Sequence, residues 1–501
     1  MPLQRIMLRV IAPLVAALIG LAVLLLPPHA SSLAAAPAKS LKSPAVARQS
    51  GASPTDPRLR GAFRFDKAEW VYVHLQGLPE QIGFQHGYLL APEIADSFQA
   101  VRLLDAHTTG RDWSFFRKAA HEMLWPKIDK EYQEELTGIV EGLHARGVQM
   151  DIDDLVALNA FEELPDYYVP WYNTQHQVAS APNLKSPGNC SAFVATGNYT
   201  RSHEIVMAHN AWTTYLDGER WRVIFDIEPQ RGYRMFMDGF PGVITSDDDF
   251  GVNSDGLMVT ETTITQFVGW NPDGKPEFER SRKALQYAAT IDDYVRIMLD
   301  GNNGGYANDW LLGDRKTGEI AQFELGLKPY GLWRTKDGYF VGSNFARDPK
   351  VLKEETTFDA RNPENSPNGR RARWEALMQQ WKGKIDVPLA QKFLSDHEDT
   401  YLKKEQPGAR TLCGHVEFAS KGAPEWNWGP NYPGGAVQGK AMDSAMAKAL
   451  SFVARRGHPC GEDFLAKAFL QAHPQYSWMA PHLLDMKAGP WTVFRAGERR
   501  P

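Results

Sequence analysis

Residues 186–199 read SPGNCSAFVATGNY, and this stretch raises the question on which the fold and the chemistry depend. A Pro-Gly turn precedes Cys190, and the run after it is typical of a buried β-strand. The chain has only three cysteines in 501 residues. Cys190 is therefore either a small apolar residue packed in the core or the nucleophile of an enzyme.

The composition is that of a folded globular protein, with 43% hydrophobic and 23% charged residues. The length fits two or three domains, or one elaborated α+β domain. The formal net charge is -5 and no basic block occurs. This charge pattern argues against nucleic acid as a partner.

Residues 1–38 have the order of a secretory signal: a basic start, an apolar run over 10–26, and small residues before Lys39. We expect cleavage after Ala38. The alternative is an uncleaved anchor, because the run approaches the roughly 18 residues that suggest a membrane span. The predicted location is secreted or periplasmic, or a lysosomal-type lumen in a eukaryotic host. Residues 39–60, rich in Ser, Pro and Ala, predict a flexible linker.

Residues 61–189 are predicted to be mostly helical, because apolar residues recur there at spacings of three and four. From Cys190 onward, short apolar runs separated by Gly, Asn and Asp predict antiparallel strands. GDRKTGE, residues 313–319, predicts a hairpin. A helix is predicted among these strands at IDDYVRIML (291–299), and helices are predicted again in RRARWEALMQQW (370–381) and DSAMAKALSFVARRG (443–457). This order of helices, then antiparallel strands, then helices favours an α+β fold with sheets covered by helices.

A reactive Cys190 needs a base, and no histidine stands beside it in the sequence. Cleavage of the bond between Asn189 and Cys190 would supply one. The new α-amine would titrate at about 7.7–8.0, close to the pKa that suits a general base. The thiol could itself attack the Asn189 carbonyl in an N-to-S acyl shift. The products would run from about Lys39 to Asn189 and from Cys190 to Pro501.

Five short sequence motifs occur in this order from Cys190 onward: CSA, AHNAW, FPG, VTETTI and ANDW. Together they resemble the phospholipase B-like branch of the N-terminal nucleophile hydrolases, over about residues 188–344. They are more distantly similar to the autoproteolytic acyltransferases related to isopenicillin N acyltransferase. The resemblance implies an αββα sandwich of two antiparallel sheets covered by helices, with a helical N-terminal segment. It places the hydrolase core at 190–501, including C-terminal helices.

The resemblance also implies roles for single residues. Cys190 would be the nucleophile and the processing point, and His209 a catalytic pocket residue beside it. Asn308 would stabilise the oxyanion of a tetrahedral intermediate. The position of Trp212 resembles one that an Asp occupies in the acyltransferase branch. Because a Trp side chain cannot ionise, the substrate charge preference is expected to differ here.

Thr262 and Arg371 complete the set of substrate-binding candidates that the resemblance implies. Thr262 would line the site, and Arg371 would orient a carboxylate or phosphate. The alternative for Thr262 is a strand residue that only packs within its sheet, and the alternative for Arg371 is an exposed salt bridge.

Cys413 and Cys460 lie in loop-like sequence and could form a disulfide, which would leave Cys190 free. His415 and His458 stand near them in sequence, but the spacing is not that of a zinc site. SDDDF, residues 246–250, predicts a charged turn and lacks the spacing of a calcium loop. No metal or other cofactor is predicted.

We expect an autoprocessed N-terminal-cysteine hydrolase that cleaves a linear amide of an acylated amine or peptide through a Cys190 thioester. The alternatives are hydrolysis of phospholipid acyl esters, acyl transfer, and a degenerate binding protein with an inert cysteine. The expected partners are a small acylated substrate, peripheral lipid contact, and the association of the two processed chains with each other.

Overall fold

The computed structural model describes residues 56–178, 184–185, 190–246 and 249–499. The predicted signal, most of the predicted linker and Asn189 lie outside these residues. Within the described ranges, no helix has the length and apolar character needed to cross a membrane.

The strands, in chain order, are β1 (Phe63–Lys67), β2 (Trp70–Gly77), β3 (Cys190–Thr196), β4 (Val206–Thr214), β5 (Val223–Pro229), β6 (Met235–Gly239), β7 (Phe250–Asn253), β8 (Leu257–Thr263), β9 (Asn308–Asp314), β10 (Glu319–Leu325), β11 (Tyr330–Thr335), β12 (Gly338–Gly342), β13 (Glu398–Asp399), β14 (Lys404–Glu405), β15 (Gly434–Asp443), β16 (Ser451–Arg456) and β17 (Thr492–Arg495). Nine of them form one sheet in the order β1-β2-β5-β6-β7-β8-β9-β10-β11, and six form a second in the order β12-β3-β4-β15-β16-β17. β13 and β14 form a separate pair.

The helices are α1 (Pro79–Leu89), α2 (Ala91–Thr109), α3 (Trp113–Ala119), α4 (Lys130–Ala145), α5 (Ile152–Asn159), α6 (Val169–Gln175), α7 (Tyr215–Gly218), α8 (Glu277–Tyr287), α9 (Ile291–Leu299), α10 (Pro349–Glu354), α11 (Ser366–Gln380), α12 (Val387–Leu394), α13 (Ser444–Lys448) and α14 (Ala466–Ala472). Several begin at acidic or hydroxyl caps. Asp151 accepts the backbone N–H of Asp154 at the start of α5, and Thr290 accepts that of Asp293 at the start of α9.

Three apolar clusters show that the sheets and helices are stacked in four layers. In β2, Val71 and Val73 pack against helices, whereas Trp70 and Tyr72 pack towards the second sheet. This alternation is the period of two that a strand imposes on its side chains. A third cluster joins the outer face of the second sheet to α11 and α12. The predicted αββα arrangement is confirmed.

One pairing departs from the antiparallel pattern. β2 and β5 pair in parallel, and the described chain between them forms helices α1 to α7 and the strands β3 and β4 of the other sheet before it returns. The segment 61–189 therefore contributes β1 and β2 to the nine-stranded sheet as well as its helices.

The local predictions differ in outcome. The predicted hairpin at 313–319 joins β9 to β10, and the helix predicted at IDDYVRIML is α9. The single helix predicted over 443–457 is wrong. Only α13 is helical there. Leu450 takes a left-handed backbone with φ 45°, and β16 then pairs with both β15 and β17.

Candidate active site

Cys190 is the first residue of β3, which lies between β12 and β4 inside the six-stranded sheet. Its register partner on β4 is Ala211. The side chain is only 2% exposed, because helices cover one face of this sheet and the other sheet covers the opposite face. The predicted nucleophile therefore stands at the start of an interior strand.

Two side chains fix the backbone of Cys190. Its N–H donates a hydrogen bond to Asn344 Oδ1 over 3.3 Å, and its carbonyl accepts one from Arg370 Nη1. Arg370 Nη2 also donates to Asn344 Oδ1 over 2.7 Å. The Asn344 amide oxygen therefore accepts hydrogen bonds from both the Cys190 N–H and the Arg370 guanidinium. Asn344 Nδ2 donates to the Thr263 carbonyl over 2.8 Å, which sets the orientation of the amide.

The conformations of these two residues explain how they reach the site. Asn344 follows β12 with φ 68°, a left-handed conformation that asparagine tolerates better than most residues. Arg370 lies on α11 and is fully buried, with Nε donating to Ser366 Oγ over 2.9 Å. Its guanidinium carbon lies 4.4 Å from the centre of the Trp212 ring. Burial lowers the pKa of Arg370 to about 9, so the group remains a cation at neutral pH.

The thiol faces buried acidic groups and one buried lysine. Cys190 Sγ lies 3.7 Å from Asp249 Oδ1. Lys440 Nζ lies 3.4 Å from Asp249 Oδ2 and 2.6 Å from Asp238 Oδ2. Burial, together with Glu261 and Asp249, raises the pKa of the Cys190 thiol well above its ordinary value. The thiol is therefore protonated at neutral pH and needs a base in order to react.

His209 lies on β4 beside the same carboxylates. Its Nε2 atom is 3.9 Å from Asp249 Oδ1 and 4.0 Å from Glu261 Oε1. Within the described part of the chain, neither ring nitrogen has a hydrogen-bond partner. Burial and the nearby Lys440 ammonium hold the pKa of His209 well below its ordinary value. The imidazole is therefore neutral at neutral pH, and a catalytic role for His209 stays a prediction.

The cluster has the ligand types of a metal site as well. Cys190, His209, Asp249 and Glu261 each offer one ligand atom, and these atoms lie within 4.8 Å of one another. Lys440 already places a positive charge 3.4 Å from Asp249. Because like charges repel strongly in a buried environment, that ammonium disfavours a cation here. The arrangement suits a nucleophile better than a metal centre.

Asn308 and Thr262 lie on neighbouring strands of the nine-stranded sheet. Asn308 pairs in register with Thr263, whose carbonyl accepts the Asn344 hydrogen bond. Neither amide atom of Asn308, nor the Thr262 hydroxyl, has a hydrogen-bond partner among the described residues. Thr262 lies against β12, because a Cβ added at Gly342 would be 2.4 Å from its Oγ1. Buried polar groups without partners are costly, so both remain candidates to contact a substrate.

The other two predicted substrate residues are placed very differently. Trp212 is buried beneath Arg370 and donates from Nε1 to the Leu412 carbonyl over 3.3 Å. The Arg371 side chain is 45% exposed and forms an ion pair with Glu375 over 3.0 Å. Arg370, the preceding residue on α11, is the one that contacts Cys190, whereas the Arg371 guanidinium carbon lies 4.1 Å from the centre of the Phe345 ring. A substrate-binding role for Arg371 stays a prediction.

Sequence reasoning missed several residues of this site. Asn344 and Arg370 hold the Cys190 backbone, and Asp249 and Lys440 surround its thiol. Asp249 belongs to SDDDF, which the sequence assigned to a charged turn, yet it is 1% exposed. Tyr306 also lies near Cys190. Burial raises the pKa of its hydroxyl well above the ordinary value, and the charges of Glu261 and Cys190 add to this effect.

Cys413 and Cys460 are free thiols in the described part of the chain, so the disulfide expected between them is not formed in the structure. Instead, each sulfur lies 3.5 Å from His415 Nε2.

A cavity of about 670 Å³ lies away from Cys190, between the ends of β2 and β5 and helices α1, α4 and α8. None of the site residues named above lines it. Its volume alone therefore says nothing about the chemistry at Cys190.

The sequence model of the Phospholipase B family matches residues 101–331, just under half of the chain. That stretch contains Cys190 and all the motifs on which the resemblance was based. The predicted resemblance to the phospholipase B-like proteins is confirmed.

Two relatives show the extent of the similarity. Phospholipase B-like protein F of Dictyostelium discoideum is 30% identical over 141 residues, which cover 26% of this chain and 24% of that protein. Phospholipase B-like 1 of Bos taurus is 24% identical over 264 residues, which cover 47% of this chain and 48% of the bovine protein. The alignments thus span about a quarter to a half of these phospholipase B-like relatives.

Among solved structures, a mutant conjugated bile acid hydrolase from Clostridium perfringens matches 53% of this chain and 88% of its own, with 10% identity and a TM-score of 0.30. A likeness at this TM-score is too weak to argue from. The similarity to phospholipase B-like proteins supports the hydrolase class predicted from the sequence.

Proposed function

We propose that the chain cleaves its own peptide bond between Asn189 and Cys190, and that the exposed N-terminal cysteine then hydrolyses a linear amide of a small acylated amine or peptide. One observation carries this proposal: buried polar side chains converge on the backbone of Cys190, with Asn344 on its nitrogen and Arg370 on its carbonyl. Backbone groups at a buried position need partners in any case, but at the predicted nucleophile a buried asparagine and a fully buried arginine supply them.

The processing step begins with attack of Cys190 Sγ on the Asn189 carbonyl carbon. The thiol proton passes to the departing Cys190 nitrogen as the amide C–N bond breaks, which leaves a thioester and a free α-amine. Water then hydrolyses the thioester to an Asn189 carboxyl group and the regenerated thiol. Arg370 on the Cys190 carbonyl would keep the residue fixed throughout this exchange.

Turnover repeats the same chemistry on a substrate. The α-amine of Cys190 takes the thiol proton, the sulfur attacks the substrate carbonyl, and an oxyanion forms. The resulting ammonium gives its proton to the leaving amine as the C–N bond breaks. The amine next activates water, which releases the acid from the thioester. Asn308 Nδ2 is our candidate donor to the oxyanion.

Hydrolysis of phospholipid acyl esters is the second candidate function, favoured by the match to the Phospholipase B family. The thioester and the roles of the residues would be the same, but an alcohol would leave in place of an amine. Fold similarity does not decide between the two leaving groups. Acyl transfer would require an amine to replace water in the second step.

Export from the cytoplasm is part of this proposal and rests on the sequence of residues 1–38. The N-terminal sequence of the purified protein would test it, because a start near Lys39 supports cleavage of the signal.

The decisive experiment is a denaturing gel of the purified protein with intact mass analysis. We expect two fragments, the larger beginning at Cys190, and a single uncut chain for Cys190→Ala. Arg371→Gln is a suitable control, because that side chain is exposed and should leave processing unchanged. A wild-type chain that stays whole while it hydrolyses substrate would overturn the proposal.

The substrate class is tested with N-acyl amines and phosphatidylcholine vesicles in parallel. Amide cleavage that disappears in Cys190→Ala supports the first candidate. Fatty acid release that disappears in the same variant supports the second. Absence of both activities, together with no labelling of Cys190 by a thiol-directed probe, would favour a binding protein.

A further inference from the structure

Three separate segments bring two cysteines and two histidines together. His397 lies between α12 and β13, Cys413 and His415 lie in the loop that follows β14, and Cys460 lies after β16. One ligand atom from each of these residues falls within a group no wider than 4.8 Å. We call this group the Cys2His2 cluster.

The distances in the cluster match those of a tetrahedral zinc site. With Zn–S near 2.3 Å and Zn–N near 2.0–2.1 Å, the sulfur and nitrogen atoms of such a site lie about 3.6 Å apart. His415 Nε2 lies 3.5 Å from Cys413 Sγ and 3.5 Å from Cys460 Sγ. A disulfide between the two cysteines would not require an imidazole placed equally close to both sulfurs.

The surroundings of His415 also suit a metal ligand. Its Nδ1 atom lies 2.9 Å from Glu417 Oε1, and Glu417 Oε2 accepts a hydrogen bond from the Tyr215 hydroxyl over 2.6 Å. A carboxylate behind Nδ1 fixes the proton there and leaves the Nε2 lone pair directed at the sulfurs. Carboxylate–histidine–metal arrangements of this kind are common around bound zinc.

We propose that His397, Cys413, His415 and Cys460 bind one Zn²⁺ ion. Two thiolates and two imidazoles select zinc over Mg²⁺ or Ca²⁺, which prefer oxygen ligands. Four protein ligands leave no open position, so the ion is structural. Binding releases the two thiol protons to solvent and involves no change of oxidation state.

The proposed site supports the candidate active site from behind. Leu412, next to Cys413, accepts hydrogen bonds through its carbonyl from Asn210 Nδ2 over 2.9 Å and from Trp212 Nε1 over 3.3 Å. Trp212 in turn lies under Arg370, which holds the Cys190 carbonyl. A metal that ties the Cys413 loop to two distant segments would therefore keep this support in register.

The test is the zinc content of the purified full-length protein, measured by mass spectrometry of the metal. We expect one zinc per chain in the wild type, and at least a tenfold loss in Cys460→Ser and His397→Gln. His121→Gln, at an exposed histidine, is the matched control and should keep its zinc. Cys190→Ala should also keep it, because the ion does not belong to the Cys190 group.

A second readout does not depend on the variants folding well. Replacement of zinc by Co²⁺ in the wild-type protein should give the visible absorption of tetrahedral cobalt with a thiolate charge-transfer band. Three results would overturn the proposal: wild-type protein that neither carries zinc nor takes up Co²⁺, zinc lost from Cys190→Ala but kept in Cys460→Ser, or an intact mass two hydrogens lower that shows a Cys413–Cys460 disulfide.

Discussion

The amide oxygen of Asn344 lies 3.3 Å from the backbone nitrogen of Cys190 and accepts its hydrogen bond. If the bond before Cys190 is cut, this nitrogen becomes the α-amine, and Asn344 then holds the general base. The same oxygen accepts a hydrogen bond from Arg370, so the side chain that positions the base is itself held by a cation.

Asn344→Asp should shift the pH dependence of hydrolysis to higher pH. The α-amine must be deprotonated to act as a base, so activity rises as pH passes its pKa, ordinarily about 7.7–8.0. A carboxylate beside the ammonium stabilises the charged form and raises that pKa. The measurement is kcat/KM against pH for processed protein. An unchanged ascending limb on the low-pH side of the profile would show that another group is the base.

Arg370→Gln should slow processing about tenfold to a hundredfold, because a buried hydrogen bond to a charged group contributes about 1.5–3 kcal/mol. The substitution leaves the Cys190 carbonyl and the Asn344 oxygen with a weaker partner. Arg371→Gln, one position along α11, should process at the wild-type rate. Fragment formation is followed on denaturing gels, with circular dichroism to confirm folding. Equal rates in the two variants would contradict the placement of Arg370.

Asn308→Ala should lower kcat by about 10²–10³ while KM changes little, as expected for loss of an oxyanion donor. The free energy of unfolding should not fall by the amount usual for a buried asparagine. The reason is that, among the described residues, its amide atoms have no hydrogen-bond partner to lose. Kinetics and urea unfolding are measured on the same preparation. A large loss of stability with unchanged kcat would assign Asn308 a purely structural role.

Lys440→Met should destabilise the fold by about 3–5 kcal/mol, because it leaves Asp238 and Asp249 as buried carboxylates without their cation. Lys448→Met, on the exposed side of α13, should have little effect. Adding Asp238→Asn to Lys440→Met should recover part of the loss, since one buried charge is then removed. Urea unfolding of the wild type, Lys440→Met, Asp238→Asn and the double variant measures this coupling, and strictly additive effects would argue against a direct ion pair.

Asp238 should also make stability depend on pH. Burial raises its pKa from 3.8 to about 6 against the lowering effect of Lys440. The folded state therefore holds this proton more tightly than the unfolded state. The stabilisation is fully present below pH 3.8 and is lost as pH rises through 6, by at most about 3 kcal/mol. Asp238→Asn should flatten the unfolding free energy over this window, whereas Asp66→Asn, at an exposed residue, should not.

Local patterns predicted most of the architecture. IDDYVRIML has the capping and spacing of a helix, and the structure places α9 over the same residues. SFVARR is different, because it continues a good helical pattern but is drawn into β16 by partners on both sides. One of those partners, β17, begins only at Thr492, and a pairing with so remote a segment cannot be read from the local pattern.

In the candidate site, too, the local sequence identified some residues, and contacts between distant segments determine the others. Cys190 stood out because of its position between a turn and a strand. Arg371 was chosen over Arg370 because the sequence does not define which face of α11 turns inward. Lys440 and the Cys2His2 cluster depend on contacts between residues far apart in the chain, which spacing alone does not reveal.

β1 and β2 precede Cys190 in the chain, yet β2 pairs with β5, which follows it. A cut before Cys190 would therefore divide one sheet between two polypeptides. The products would behave as complementing fragments: the folded pair would stay together on moderate dilution, and it would melt in a single transition whose midpoint rises with protein concentration, because unfolding then includes dissociation of the two polypeptides.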